Sequence, residues 1–452
     1  MNDARLNVVL VNPYELGRQS FGLVHMAAQL SAAGHSVECF DLSRQRLQAQ
    51  ALAQADLIGL HLPMHTATRI AHEVLPRLRT LAPDAHLAAY GLYAALNETS
   101  LREAGVSTLV SGEFEPEILA LAERLATGRE TGVRPATTTL AKVSFTVPDR
   151  STQPPLGQFA RLRDPSGRER IMGFAEASRG CKHLCGHCPV VPIYNGRFRA
   201  VPVDIVLADI RQQVAEGAEH ISFGDPDYLN GPTHALRVAR ALNAEFPDLT
   251  FDAVIKVEHL LAHRAVVAEL GELGLAFVIS AVESIDNQVL AKLDKGHTRA
   301  DFFDAVTMMR ELKIGFAPTF LAFTPWTTLE SYLELLRTLV TLELVGAVPP
   351  IQLAIRLLIP HRSRMLELAE IQAIAEPFDA SALGHPWSHA DNRVDRLQRD
   401  IEELLSTSAD AAAYDLFARI WRLAHEAAGV PPPPLPPNLG DPLAHHTEDW
   451  YC

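Results

Sequence analysis

Three cysteines, Cys181, Cys185 and Cys188, fall within the stretch EASRGCKHLCGHCPVVP. Thiolates at the Cys-x3-Cys-x2-Cys spacing can close around one cubane iron–sulfur cluster, and Gly180 and Gly186 give the loop the backbone freedom it needs. Three is the informative number. A four-iron cluster held by three cysteines keeps one iron free of protein, and that iron can chelate the amino and carboxylate groups of S-adenosylmethionine (SAM). One electron passed to the sulfonium then breaks a carbon–sulfur bond and releases a carbon radical. The competing use of these thiols is a structural zinc site, which needs a fourth ligand and could recruit His183 or His187. Against zinc, no second CxxC pair exists. The chain has only 5 cysteines, which is not the spread of a disulfide framework. Cys39, inside an apolar run, reads as a small buried hydrophobe.

The elements that must carry this loop form an alternating series. Residues 173–179, 220–225, 250–257, 276–283, 315–323 and 351–357 read as six strands, and each but the last leads into a helical stretch, clearest at 203–216 and 329–344. Six such units predict an open (β/α)6 barrel over residues 171–360, with its chemistry at the C-terminal strand ends, where the cysteine loop lies. Lys256 and Arg356 are charged residues ending otherwise apolar strands. A buried cation there needs an anion: the SAM carboxylate, the substrate, or an internal salt bridge.

A second α/β unit precedes the barrel. Runs at 6–12, 36–42, 55–62, 86–93 and 108–112 read as strands between helices, which predicts a Rossmann-like domain over residues 1–130. Residues 131–170, rich in Pro, Thr, Ser and Gly, read as a linker. Residues 361–430 read as helical, with helices at 393–405 and 411–428, and residues 431–452 as a proline-stiffened arm ending in Cys452.

With 48% hydrophobic and 21% charged residues, the composition is that of a folded protein rather than a disordered one. A net charge of -14 without a basic stripe speaks against nucleic acid. No apolar run reaches membrane-spanning length and no leader pattern is evident, so a cytoplasmic enzyme away from membranes is expected.

The signature on the first barrel strand resembles that of the radical SAM superfamily. The resemblance implies a [4Fe-4S] cluster, SAM and an electron donor such as flavodoxin or ferredoxin. It places His187, before the third cysteine, near the adenine, and Gly224, Asp225 and Pro226 where a Gly-Gly-Glu-like motif holds the SAM amino group. Glu283, in SAVES, matches a residue that approaches the ribose or methionyl end; a helix-start carboxylate is its alternative reading. The N-terminal unit resembles the cobalamin-binding domain that precedes many such barrels. Asn12 and Pro13, Tyr90 and Gly91, and SGEFE at 111–115 carry that likeness. The Asp-x-His-x-x-Gly motif that gives cobalt a histidine is replaced by YELGRQSFG, leaving His61, Met64 and His65 to face a corrin, to pack, or to cap a helix.

The stretches LPMHTATR, HISFGDPDYLNGP, LDKGHTRADF and FTPWTTLESY narrow the likeness to radical SAM proteins with a Cys-Cys-Ala-Glu-Pro or Cys-selenocysteine-Ala-Glu-Pro tail. The resemblance makes Cys452 a candidate catalytic thiol and a soft-element chemistry, arsenic or selenium, the more specific expectation. The substrate is expected to be a small molecule, altered by methyl transfer if cobalamin is bound and otherwise by 5′-deoxyadenosyl or aminocarboxypropyl chemistry. Peptide maturation, or a non-catalytic metal or cobalamin sensor with no need of Asp225 and Glu283, are the alternatives. A natural end at Cys452 with an idle thiol competes with an in-frame UGA. Sequencing the codon after Cys452 decides: UGA is expected, and UAA or UAG removes the selenocysteine reading.

Overall fold

Runs such as NVVLVN and LIGLH are apolar on both strand faces and must be covered on both. In a computed structural model, which describes residues 5–130, 132–408 and 411–448, they form the centre of a parallel sheet. Its strands β1 (Asn7–Asn12), β2 (Ser36–Asp41), β3 (Leu57–His61), β4 (His86–Tyr90), β5 (Thr108–Gly112) and β6 (Thr137–Thr139) lie in the order β2-β1-β3-β4-β5-β6. Helices Phe21–Ala32 and Glu115–Ala126 pack on one face of the sheet and helix His65–Leu81 on the other. The five strands read from sequence are all present. The sixth comes from the segment read as a linker: Thr137–Thr139 is β-branched and pairs with β5, and Thr139 O also accepts from Glu113 N at 2.8 Å.

The second sheet is the curled wall of a half-barrel. Strands β7 (Arg161–Arg163), β8 (Glu169–Ala175), β11 (His220–Phe223), β12 (Thr250–Val254), β13 (Leu275–Glu283), β14 (Gly315–Phe320) and β15 (His445–His446) lie in the order β14-β13-β12-β11-β8-β7-β15, parallel from β8 to β14. Between β8 and β11, β9 (Ser178–Gly180) and β10 (Phe198–Ala200) form a separate antiparallel ribbon flanking the cysteine loop. The expected strand at 351–357 is instead a 3-10 turn, Pro350–Leu353, followed by one parallel bridge between Phe323 and Arg356. Pro349 and Pro350 have no N–H to offer a ladder, so pairing starts only at Ile355 O, which accepts from Phe323 N at 3.0 Å.

The C-terminal helices Asn392–Ser406 and Ala413–Ala427 pack against each other. The arm that follows them is not free. Trp421 Nε1 donates to Pro433 O at 3.0 Å, Val345 N donates to Leu439 O at 3.1 Å, and β15 pairs antiparallel with β7. A buried charge knot pins this last strand. Asp252 Oδ2, on β12, lies 2.8 Å from His446 Nε2 and 2.9 Å from His220 Nε2. Burial would raise this carboxyl, but the two histidines outweigh it and hold it well below the usual aspartate range. Deleting the carboxylate leaves two buried imidazoles facing each other. Asp252→Ala is therefore expected to cost about 3–5 kcal/mol in denaturant unfolding and to open residues 431–448 to limited proteolysis.

Candidate active site

The cysteine loop is fixed at both ends by groups that only certain residues can supply. Gly180 has φ +74, and a Cβ there would sit 2.4 Å from Arg197 O and 2.5 Å from the Tyr194 ring, so glycine is required. Asn230 holds the far side: its Oδ1 accepts from Lys182 N at 3.0 Å and lies 3.7 Å from Cys181 Sγ. Gly186 N donates to Leu293 O at 2.8 Å. Cys181 and Cys185 are buried, Cys188 is half-buried, and all three are free thiols.

Burial and the neighbouring thiols push Cys188 up to about 12, and Cys181 rises for the same first reason. Buried thiols that repel one another as thiolates are stable in that form only around a cation, the condition an iron–sulfur cluster meets. Lys295 adds positive charge: Cys185 and Cys188 both act on its ammonium. The donor set therefore fits a three-thiolate cluster.

Beside the loop, β13 ends in an irregular register against β14 and a left-handed residue, Glu283, at φ +66. The bulge aims the carboxylate at two cations or donors, His187 Nε2 at 3.1 Å and Lys295 Nζ at 3.3 Å. Burial opposes its ionisation, yet Lys295 and His187 hold Glu283 down at about 2. Ser280 Oγ and His187 Nδ1 are buried without a hydrogen-bond partner. Unpaired polar atoms of this kind mark a place where a polar ligand belongs.

The structure separates the other candidates. Asp225 does not present a free carboxylate: Oδ2 accepts from Ala177 N at 2.9 Å and Oδ1 from Ser178 Oγ at 2.5 Å, fastening the end of β11 to the start of β9. Its burial raises it to about 7 despite these bonds. The space a side chain on Gly224 would fill is taken by the Phe174 ring, 2.1 Å from the ideal Cβ. Pro226 lies with Gly224 on a cleft towards the N-terminal domain. Arg356 takes the internal salt bridge, with Nη1 2.7 Å from Asp395 Oδ1 and its guanidinium stacked 3.5 Å from the Trp387 ring centroid. Lys256 is buried and pairs with Glu258 at 3.2 Å. Cys452 lies outside the described residues.

Sequence reading missed Lys295, Asn230 and Arg179. Arg179 is the residue just before Gly180, and it crosses into the N-terminal domain. Its guanidinium contacts Glu115 and lies 2.9 Å from Glu176 and 3.6 Å from Glu113, with the Phe21, Phe114 and Phe145 rings around it at 5.2–5.4 Å. His25 Nδ1 lies 2.9 Å from the same Glu115. The SGEFE motif thus supplies the carboxylates that receive Arg179.

Around this contact lies a cleft of about 220 Å³, lined from the N-terminal domain by Met64, Gly91, Gly112 and Phe114 and from the barrel by Val190 and Tyr194. Gly91 and Gly112 have positive φ at strand ends, which suits close approach of a flat macrocycle. Neither the histidine that ends β3 nor the one that opens the following helix offers cobalt a free imidazole in this cleft. His61 Nδ1 meets Ser20 Oγ at 2.9 Å while its other ring edge packs on Gly22, and His65 Nε2 lies 2.9 Å from Ala382 O.

Residues 176–339 match the family model of the Radical SAM superfamily, so the half-barrel carries a radical SAM domain. The superfamily's chemistry takes a [4Fe-4S] cluster and SAM. Among curated relatives, tRNA-2-methylthio-N(6)-dimethylallyladenosine synthase of Hahella chejuensis is 24% identical over 185 residues, 36% of this chain and 38% of that protein. Hopanoid C-3 methylase of Methylococcus capsulatus is 24% identical over 151 residues, 33% of this chain and 29% of that protein. The matched segments therefore span well under half of these relatives. In fold, the chain is similar to the cobalamin-dependent SAM radical enzyme OxsB, solved with aqua-cobalamin, at TM-score 0.69 and 15% identity, over 94% of this chain and 72% of that one. It is also similar to the radical SAM methyltransferase TsrM of Kitasatospora setae, solved with cobalamin and a [4Fe-4S] cluster, at TM-score 0.60 and 19% identity, over 82% and 76%. The arrangement of an N-terminal Rossmann-like domain and a half-barrel is thus a fold shared with OxsB and TsrM. No described helix is long and apolar enough to cross a membrane.

The interdomain carboxylates titrate in opposite directions. Burial would raise Glu115, but Arg179 and His25 outweigh it and hold it at about 2, so its contribution to stability is lost as pH falls from 4.5 towards that value. Burial lifts Glu113, whose oxygens make no hydrogen bond, from 4.5 to about 7. Its contribution is full below 4.5 and lost as pH rises through about 7. The melting temperature of the protein is expected to fall as pH rises from 4.5 to about 7, and Glu113→Gln to flatten the fall; parallel slopes for the two proteins would exclude this origin.

Proposed function

We propose that this protein cleaves SAM reductively at a [4Fe-4S] cluster held by Cys181, Cys185 and Cys188, and uses the radical to modify a small molecule. The observation that carries the reading is the gathering of three thiols, two buried and one half-buried, with His187, Glu283 and Lys295 where the parallel strands end. When bound, the cluster supplies one electron to the sulfonium of SAM. Glu283 would accept hydrogen bonds from a polar group of SAM, and His187, whose Nδ1 is unpartnered, would face its nucleoside. Lys295 keeps Glu283 ionised and favours thiolates in the loop. Asp225 is proposed as a positioning residue for β9, and Gly224 and Pro226 as cleft residues.

The soft-element reading of the substrate rests on the tail. Glu448, the last described residue, meets Tyr14 OH at 3.0 Å and Arg44 Nη2 at 3.5 Å, beside Glu15, Leu16 and Arg18 of the cleft rim. A second reading, cobalamin-assisted methyl transfer, is favoured by the fold likeness to OxsB and TsrM; Met64, Gly91, Gly112, Phe114 and Tyr194 would line the corrin.

Anaerobic reconstitution with iron, sulfide and hydroxocobalamin tests both. Methylthioadenosine after reduction indicates aminocarboxypropyl transfer, 5′-deoxyadenosine hydrogen abstraction, and S-adenosylhomocysteine with a corrin band methyl transfer. Changing Cys181, Cys185 and Cys188 together to Ala is expected to abolish the brown chromophore and SAM cleavage in a protein that still folds; four irons retained per chain would defeat the assignment. Cys452→Ala is expected to leave SAM cleavage intact and to lower product formation on an arsenite or selenite substrate. Equal turnover of that variant would make the thiol incidental.

A further inference from the structure

A second constellation sits at the barrel mouth and takes no part in the cluster or SAM assignments. His183 comes from the cysteine loop, Asp227 from the loop after β11, and His259 from helix Val257–Ala262. One ligand atom from each lies within 4.8 Å of the others. His183 Nε2 is 3.2 Å from His259 Nε2 and 3.6 Å from Asp227 Oδ2, and His259 Nδ1 is 2.7 Å from Asp227 Oδ2. From these observations we infer a binding site for one divalent first-row transition-metal cation, separate from the iron–sulfur cluster.

A hydrogen-bonded His–Asp–His chain is the alternative use of such residues, and the geometry speaks against it. Although only 2.7 Å apart, Asp227 Oδ2 and His259 Nδ1 are out of line, so both count as buried atoms without a partner. Asp227 is 0% exposed, and its other oxygen serves the backbone, accepting from Leu229 N at 3.1 Å. A fully buried carboxylate oxygen with no donor is unfavourable unless a cation meets it. Zinc binds imidazole nitrogen and carboxylate oxygen at about 2.0–2.2 Å, which sets tetrahedral ligand edges at roughly 3.3–3.6 Å. Two of the observed separations, 3.2 and 3.6 Å, lie at that spacing before any ion draws the groups together.

The surroundings suit a cation as well. Glu258 Oε2 is 3.6 Å from His183 Nδ1, where it can orient the ring, and it also takes Lys256 Nζ at 3.2 Å, so the nearest ammonium is paired with a carboxylate. His263 lies against His259 with ring centroids 5.6 Å apart. With Asp227 and Glu258 against Lys256, the formal charge of these side chains is negative before an ion enters. Two imidazoles and one carboxylate leave coordination positions open, as in catalytic zinc and non-haem iron sites, so the bound ion can hold an anionic substrate group next to the cysteine loop.

Zinc uptake by the reconstituted holoprotein tests the site, because the cluster thiols are then already occupied. Elemental analysis after equilibration with Zn²⁺ and gel filtration is expected to show one zinc beyond four irons per chain. His259→Ala and, independently, Asp227→Asn are expected to weaken zinc binding by about 10–100-fold while keeping four irons, and His263→Ala to keep both metals. No zinc on the wild type, or equal zinc on all variants, overturns the site. Loss of iron together with zinc in both ligand variants, with His263→Ala unaffected, would show that there is no separate site. A protein with four irons that cleaves SAM and takes no zinc sinks this inference and leaves the cluster reading standing. Zinc without iron does the reverse.

Discussion

The rest of the site depends on one buried cation, Arg179. It sits just ahead of Gly180 and the three cysteines, yet its charge is neutralised mainly by Glu115 and Glu113 of the other domain and by Glu176 of its own. Desolvating a guanidinium is tolerable only when carboxylates are already in place, and removing one partner of such a buried pair typically costs about 3–5 kcal/mol. The cysteine loop is therefore held in position by the N-terminal domain as well as by the barrel. The faces of three aromatic rings, 5.2–5.4 Å from the guanidinium, add cation–π attraction to the carboxylate contacts.

That dependence gives the N-terminal domain a mechanical meaning of its own. Gly112 ends β5, Glu113 and Glu115 follow it, and the helix Glu115–Ala126 starts there, so one turn both closes the Rossmann-like sheet and grips the barrel. Asp225 does a similar job one strand away, tying β11 to β9 through Ala177 and Ser178. Strand ends that would be free in an isolated barrel are here committed to holding the loop.

Much of this was legible in the sequence. Residues such as Val8 to Val11 and Leu57 to Leu60 are apolar on both faces, and that pattern has few outcomes other than a central parallel strand. The cysteine loop was legible because its spacing is itself the chemistry. What could not be read are features decided by tertiary pairing. Strands β6, β7 and β15 have two or three residues each, too short for periodicity, and exist because an open edge lies beside them. The roles of Arg356 and Asp225 stayed open for another reason. A charged residue at a strand end fits a ligand contact and an internal bond equally well, and the partners that decided it, Asp395 and Ser178, lie 39 and 47 residues away. Lys295 carried a faint signal in LDKGHT, a cation between Asp294 and His297, but its meaning depends on Glu283 being turned towards it by a bulge.

The C-terminal arm follows from the barrel's incompleteness. A half-barrel exposes a lateral opening and two sheet edges, and open edges invite pairing with other chains. Here β15 caps β7, and residues 442–446 wall a cavity of about 300 Å³ whose other sides include Phe277 and Ile279 of β13 and Ala317 and Thr319 of β14. None of the cluster cysteines lines it. The Asp252 knot with His220 and His446 makes closure depend on charge inside the barrel, so the same buried group that stabilises the sheet fixes where the arm lies. From that anchor the chain emerges at Glu448 beside Tyr14 and Arg44 of the other domain. The segment that shuts the barrel thus also ties the half-barrel's edge to the N-terminal domain through Glu448.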